Sequence, residues 1–164
     1  MDTNNIEITG ELKLSENVPA GSIGAILCGL VGVVLYVVLS VLGYIAGISG
    51  FVAFIAAYFG YKKLAGVESS VTGIIVAVII TLVYLVVGEY LSLGWIIYDS
   101  YKSAEMSVSL IDSFKQIPDA LANEEMKQAV IKDLAIGLFL TVIATASQVK
   151  NAFGSARRAS KEGK

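Results

Sequence analysis

From Val18 to Tyr61 the chain carries no Asp, Glu, Lys or Arg. A single helix over that run would rise about 66 Å, roughly twice the ~30 Å hydrocarbon core of a bilayer, so the run must fold back on itself. Near its middle, "GYIAGISG" (Gly43 to Gly50) supplies glycines able to take positive φ and a serine able to cap the next helix. The pattern predicts a helical hairpin with spans near 21–44 and 48–64.

A third charge-free run, Ser69 to Gly88, has Ser69 and Ser70 as candidate N-caps and predicts a span near 70–97. The fourth, Leu134 to Val149, predicts a span near 129–149. It follows a turn beginning at Asn123, where the Asn side chain can cap and Glu124 and Glu125 complement the helix dipole. In the connecting loop, near 99–128, Val108, Ile111, Phe114 and Ile117 fall at helical spacing before Pro118. That spacing predicts one short amphipathic helix lying on the membrane face as a lid. The expected fold is all-α: a polytopic membrane protein with four transmembrane helices (21–149) in a compact antiparallel bundle plus this short helix. A polar segment, 1–20, precedes the bundle and a basic tail, 150–164, follows it.

Composition agrees, because 55% hydrophobic and only 16% charged residues leave too little polar surface for an ordinary soluble domain. With no His and a single cysteine, Cys28, the usual zinc and iron sites and the Ser-His-Asp and Cys-His arrangements are not available. No cofactor or metal is expected. The net charge of −2 and the absence of a basic stripe with interleaved aromatics argue against nucleic acid. The acidic N-terminal segment is the wrong charge for a secretory signal, so the first run is expected to be retained.

Four spans place both termini on one side. Lys13, Lys62, Lys63, Lys150, Arg157, Arg158, Lys161 and Lys164 lie there, against Lys102, Lys115, Lys127 and Lys132 on the other. By the positive-inside rule both termini are cytoplasmic and the protein belongs in the plasma (inner) membrane. Tyr90, Trp95 and Tyr98 are expected at the outer interface, and Tyr58 and Tyr61 at the inner one.

On helical wheels the small residues align. Span 1 carries Gly21, Ala25, Cys28, Gly32, Tyr36 and Gly43 on one stripe, and span 2 carries Ala46, Gly50, Ala53, Ala57 and Gly60. Span 3 has Gly73, Ala77, Thr81, Tyr84 and Gly88; span 4 has Gly137, Thr141, Ala144 and Gln148. In lipid such stripes let backbones approach, and Thr or Gln can hydrogen-bond across the contact. Gly47 and Gly50 are expected to serve both the reversal and the packing after it.

Ionisable groups inside spans are the default functional candidates, and here they are Glu89 and Asp133. Glu89 lies about 27 Å of rise beyond Val71 and about 120° from the span 3 stripe, which predicts snorkelling or pairing with Lys132. Asp133 extends the polar stripe of span 4; it reads first as a helix-start carboxylate favoured by the dipole and, of the two, is the better candidate for a proton or cation site.

The segments "GSIGAILCGLVG", "GYIAGISG" and "GYKKLAG", with "LGWIIYDSYK" and "SFKQIPDAL" more loosely, resemble small four-span bacterial membrane proteins with a glycine-rich first hairpin. The resemblance implies the four-span layout and transfers no activity or catalytic residue. The expected role is a non-catalytic subunit that oligomerises or binds another membrane protein; the alternative is a small proton- or cation-coupled transporter or channel. Only carboxylates, Lys, Tyr and Ser/Thr remain for an intramembrane enzyme, and nothing pairs them.

Overall fold

The computed structural model describes residues 16–67 and 70–162, with side chains described as far as Lys150. Most of the N-terminal polar segment, and Ser69 as a cap, lie outside the described residues. The described residues form six helices: α1 Val18–Val41, α2 Ile48–Ala65, α3 Val71–Ser103, α4 Leu110–Lys115, α5 Ile117–Leu121 and α6 Glu124–Glu162. There are no strands among the described residues. Among the described residues three segments are long and apolar enough to cross a membrane: Val18–Val41, Val71–Ser103 and the Glu124–Lys150 part of α6.

Local chemistry sets the helix ends. The Asn17 side chain accepts from the Ala20 N–H at 3.1 Å, and Pro19, which needs no donor, fits the first turn. Ser70 caps α3 through the Gly73 N–H at 2.9 Å, and Asn123 caps α6 through the Glu125 N–H at 2.9 Å. α1 stops at Val41, short of the expected boundary, because Gly43 turns left-handed at φ +76°. Nothing lies within 4 Å of a Cβ built on Gly43, so this glycine serves the turn and not the packing stripe on which the wheel placed it. The serine in the reversal, Ser49, does not cap either: α2 begins at Ile48 behind Gly47 without a side-chain cap, and Ser49 is buried inside the first turn.

Glycine contacts set the register. α1 and α2 run antiparallel with their backbones touching at Gly24 and Gly60, while Gly32 lies on Ala53. The Tyr61 ring fills the space between Gly21 and Gly73, and the Tyr36 ring lies on Gly88. α3 is therefore parallel to α1. α6 enters on the other side, where Gly137 meets Gly47, Gly50 and Leu85. It runs parallel to α2 and antiparallel to α3 and packs mainly on these two.

With 33 and 39 residues, α3 and α6 rise about 50 and 58 Å and outreach the hairpin. Beyond the hairpin turn, Leu93 and Ile97 pack with Met126, Val130 and Ile117, and Gly94 makes room for the Phe114 ring. The segment expected as one amphipathic helix is two, α4 and α5, broken at Gln116 where Pro118 starts a new first turn. Phe114 and Ile117 turn inward, whereas Ile111 is 72% exposed. On the outer surface of α4 the Lys115 ammonium at 2.7 Å, and then the Ser109 hydroxyl, hold the Asp112 carboxyl below the usual carboxylate range.

Candidate functional site

Polar groups inside this fold gather at two levels of the α1–α2–α3 unit. At the level of the hairpin turn, the Tyr36 hydroxyl of α1 donates to the Glu89 carboxylate of α3. Both are buried, at 1% and 8% exposure. Gly88 lets the Tyr36 ring lie flat on α3, and that approach brings the phenol to the next side chain, Glu89. Leu85, Ala46, Leu39 and Leu134 close the surroundings with apolar groups, and the buried Ser92 hydroxyl returns to the Glu89 carbonyl at 3.0 Å.

The expected behaviour of Glu89 is thereby corrected. It neither snorkels nor pairs with Lys132, which is exposed; the ion pairs among the described residues are the surface pairs Lys115–Asp112 and Lys127–Glu124. A single direction on the wheel describes a helix that meets one neighbour, but α3 meets the hairpin and α6 below this level and α4, α5 and α6 above it. Its buried face rotates from Gly73 and Ala77 towards Glu89, Leu93 and Ile97.

Asp133 stands where α6 passes the turn, its backbone carbonyl against Gly47. It is half-buried, and its chain neighbour Leu134 packs on the Tyr36, Ala46 and Leu85 cluster beside Glu89. Tyr36, Glu89 and Asp133 thus bring one polar group each from α1, α3 and α6 to a single level.

The second level is at the other end of the same unit. The Glu16 carboxylate, just before α1, accepts from the Tyr61 hydroxyl at 2.7 Å and from the Ser70 hydroxyl. Tyr58 and Tyr61, expected in an interfacial belt, are 5% and 0% exposed, because their rings fill space left by small residues on neighbouring helices. Tyr90 and Trp95 do lie half-open, at 50% and 42%.

Between the two levels the interior is apolar, with Ala25, Phe54, Ala57 and Ala77 fully buried. The threonines expected to bond across helices do not. Thr81 returns to the Ala77 carbonyl and Thr141 to the Gly137 carbonyl, each at 2.7 Å within its own helix. A hydroxyl that does cross at mid-height is that of Tyr84, donating to the Ile26 carbonyl of α1 at 2.7 Å.

The remaining stripe residues are placed as follows. Gly21, Gly32, Gly47, Gly50, Ala53, Ala57, Gly60, Gly73, Gly88 and Gly137 are all buried at contacts between helices. The wheel missed Gly24, Gly29 and Gly94, which lie against Gly60, Tyr84 and Phe114. It also missed Glu16 and gave Tyr36 no partner. Tyr36 sits in a row of glycines and alanines, the one bulky polar group there, and that was the available signal.

Open depressions lie elsewhere: about 250 Å³ between α3, α5 and α6, lined by Ile97, Tyr101, Gln116 and Asp119, and about 270 Å³ between α3 and α6, lined mostly by apolar side chains with Thr141 and Thr145. Among the described residues no three His, Cys, Asp or Glu side chains gather as a metal set. No family model, curated protein or solved structure matches the chain. Fold and surface together define a helical membrane protein: the faces turned outward carry Ile23, Leu27, Val31 and Val34 on α1 and Ile75, Ile79 and Val86 on α3, all exposed. Such helices place the protein in contact with the lipid bilayer.

Proposed function

We propose that this protein is a four-span, non-catalytic membrane subunit that works through contact with further copies of itself or with another membrane protein. Support for the fourth span comes from α2. Its 18 residues rise about 27 Å, close to the ~30 Å hydrocarbon core. Backbone contact with α1 from Gly24–Gly60 to Gly32–Ala53 ties the two helices along their length. Phe51, Ile55 and Phe59 face outward, so α2 shares the apolar surroundings of α1.

The observation that carries the non-catalytic reading is the closed interior. Ala25, Phe54, Ala57 and Ala77 are each 0% exposed and separate the two polar levels, and the Thr81, Tyr84 and Thr141 hydroxyls between them are spent on carbonyls. A transport path needs water or ligand contacts near the midplane. Purified protein in nanodiscs is expected to give a discrete oligomer, or a stoichiometric complex with a co-purifying membrane protein, by native mass spectrometry. A strictly monomeric particle that captures nothing would remove this reading.

The orientation rests on the Lys and Arg asymmetry. In a Cys28→Ser background, a cysteine at Ser103 is expected to react with an impermeant reagent from outside, and one at Ser155 only after permeabilisation. The reverse pattern inverts the topology.

A second reading, a proton or cation site, is favoured by the Tyr36–Glu89 hydrogen bond with Asp133 at the same level, since buried carboxyls in a membrane are costly and commonly functional. Proteoliposomes of the wild type are expected to show no ion-driven flux. Robust flux that disappears in Glu89→Gln or Asp133→Asn would establish the second reading instead.

A further inference from the structure

The outer face of α2 joins an apolar lane to a basic end. Phe51, Ile55 and Phe59 follow one another at i, i+4 spacing and, with Val52 and Ala56, line an open groove of about 370 Å³ whose lining is wholly apolar. One further step along the same row is Lys63, and beside it is Lys62. Lys63 is exposed, while Lys62 is half-buried with its ammonium 5.5 Å from the centre of the Tyr58 ring. Tyr58 is itself held by stacking on Phe54, so the cation is kept at a fixed height beside the groove. Neither lysine has a carboxylate within ion-pair distance among the described residues. Glu16, the described carboxylate at this end, is turned to Tyr61 and Ser70.

We infer that this groove is a binding site for one anionic phospholipid, its acyl chain along Phe51, Ile55 and Phe59 and its phosphate against Lys62 and Lys63. From Phe51 to Lys63 the helix rises about 18 Å, slightly more than half the ~30 Å core and hence the depth of one leaflet. An acyl chain lying in the lane therefore delivers its headgroup to the lysines. Two adjacent ammonium groups without acidic partners among the described residues favour a headgroup of net negative charge over a zwitterionic one, whose own cation they repel. Tyr58 is a positioning residue, since it fixes Lys62 and does not touch the lipid. The inference rests on the reading of α2 as a span.

Native mass spectrometry of the full chain, released from mixed micelles of phosphatidylglycerol or phosphatidylcholine with identical acyl chains, tests it. The wild type is expected to retain one phosphatidylglycerol at least about five-fold more tightly than phosphatidylcholine. Lys62→Gln/Lys63→Gln should lose that preference, and Lys62→Arg/Lys63→Arg should keep it. Phe59→Gln should weaken both lipids together, because it spoils the lane and leaves the charges. Equal binding of the two lipids by the wild type, or an equal loss of preference in Lys102→Gln/Lys132→Gln at the opposite end, would overturn the site. Displacement of the lipid by millimolar inorganic phosphate would show a free-anion site instead. The span is checked separately: in Cys28→Ser, Ile55→Cys should resist an aqueous thiol reagent. Protection there with no lipid preference defeats the inference alone, whereas free labelling defeats the span and the inference with it.

Discussion

Isoleucine in place of Gly24 is expected to unfold the α1–α2 hairpin. A Cβ at Gly24 would collide with the Gly60 carbonyl oxygen and sit 2.8 Å from its carbonyl carbon; these are backbone atoms, with no rotamer to move aside. Over-packing a core ordinarily costs ~1–3 kcal/mol, and here the helices must separate along their length. The loss should reach at least the upper end of that range. Gly32→Ile, which meets Ala53 from Cβ to backbone, should behave alike. Gly43→Ala separates clash from strain: it has open space but a φ of +76°, and should cost only about 1 kcal/mol. Val37→Ile, at a half-buried position in α1, should be mild. Thermal unfolding in one detergent ranks the four, and equal midpoints would show that the glycines do not set the approach of the helices.

Tyr36→Phe is the second large effect. It removes the hydroxyl that the buried Glu89 carboxylate accepts from and leaves the acid without that donor in an apolar environment, at about 1–3 kcal/mol. Glu89→Leu should cost a similar amount by orphaning the phenol, whereas Glu89→Gln keeps an acceptor and should cost less. The double variant Tyr36→Phe/Glu89→Leu should be more stable than the sum of the single losses predicts, by about 1 kcal/mol or more. Strict additivity would mean that the hydrogen bond does not tie α1 to α3.

The number and rough limits of the long helices follow from where charge is absent, since a backbone in lipid must satisfy its hydrogen bonds internally and helices do so locally. The reversal at 43–50 was legible for the same reason: no helix the length of the first run fits a bilayer. Boundaries were less so. The turn octet predicts a positive-φ role for Gly43, which the structure has; its place on the packing stripe fails because a wheel cannot see that Val41 ends the helix. The short α4 and α5 merged into one because Pro118 was read as a stop when it is also a good first-turn residue.

Determined by the sequence alone are the all-helical character, the apolar length of each crossing segment and the presence of small residues where helices can come close. All three depend on residue type within one segment. Which glycine meets which backbone, and which polar groups are paired, was decided only by tertiary structure. α1 and α3 are apolar on nearly every face, so their periodicity names no single inward direction, and the inward direction of α3 changes where its neighbours change. Glu89 is the clearest case. Its wheel position pointed it away from the contact stripe; Gly88, by admitting the Tyr36 ring, brought it a partner from 53 positions earlier in the chain.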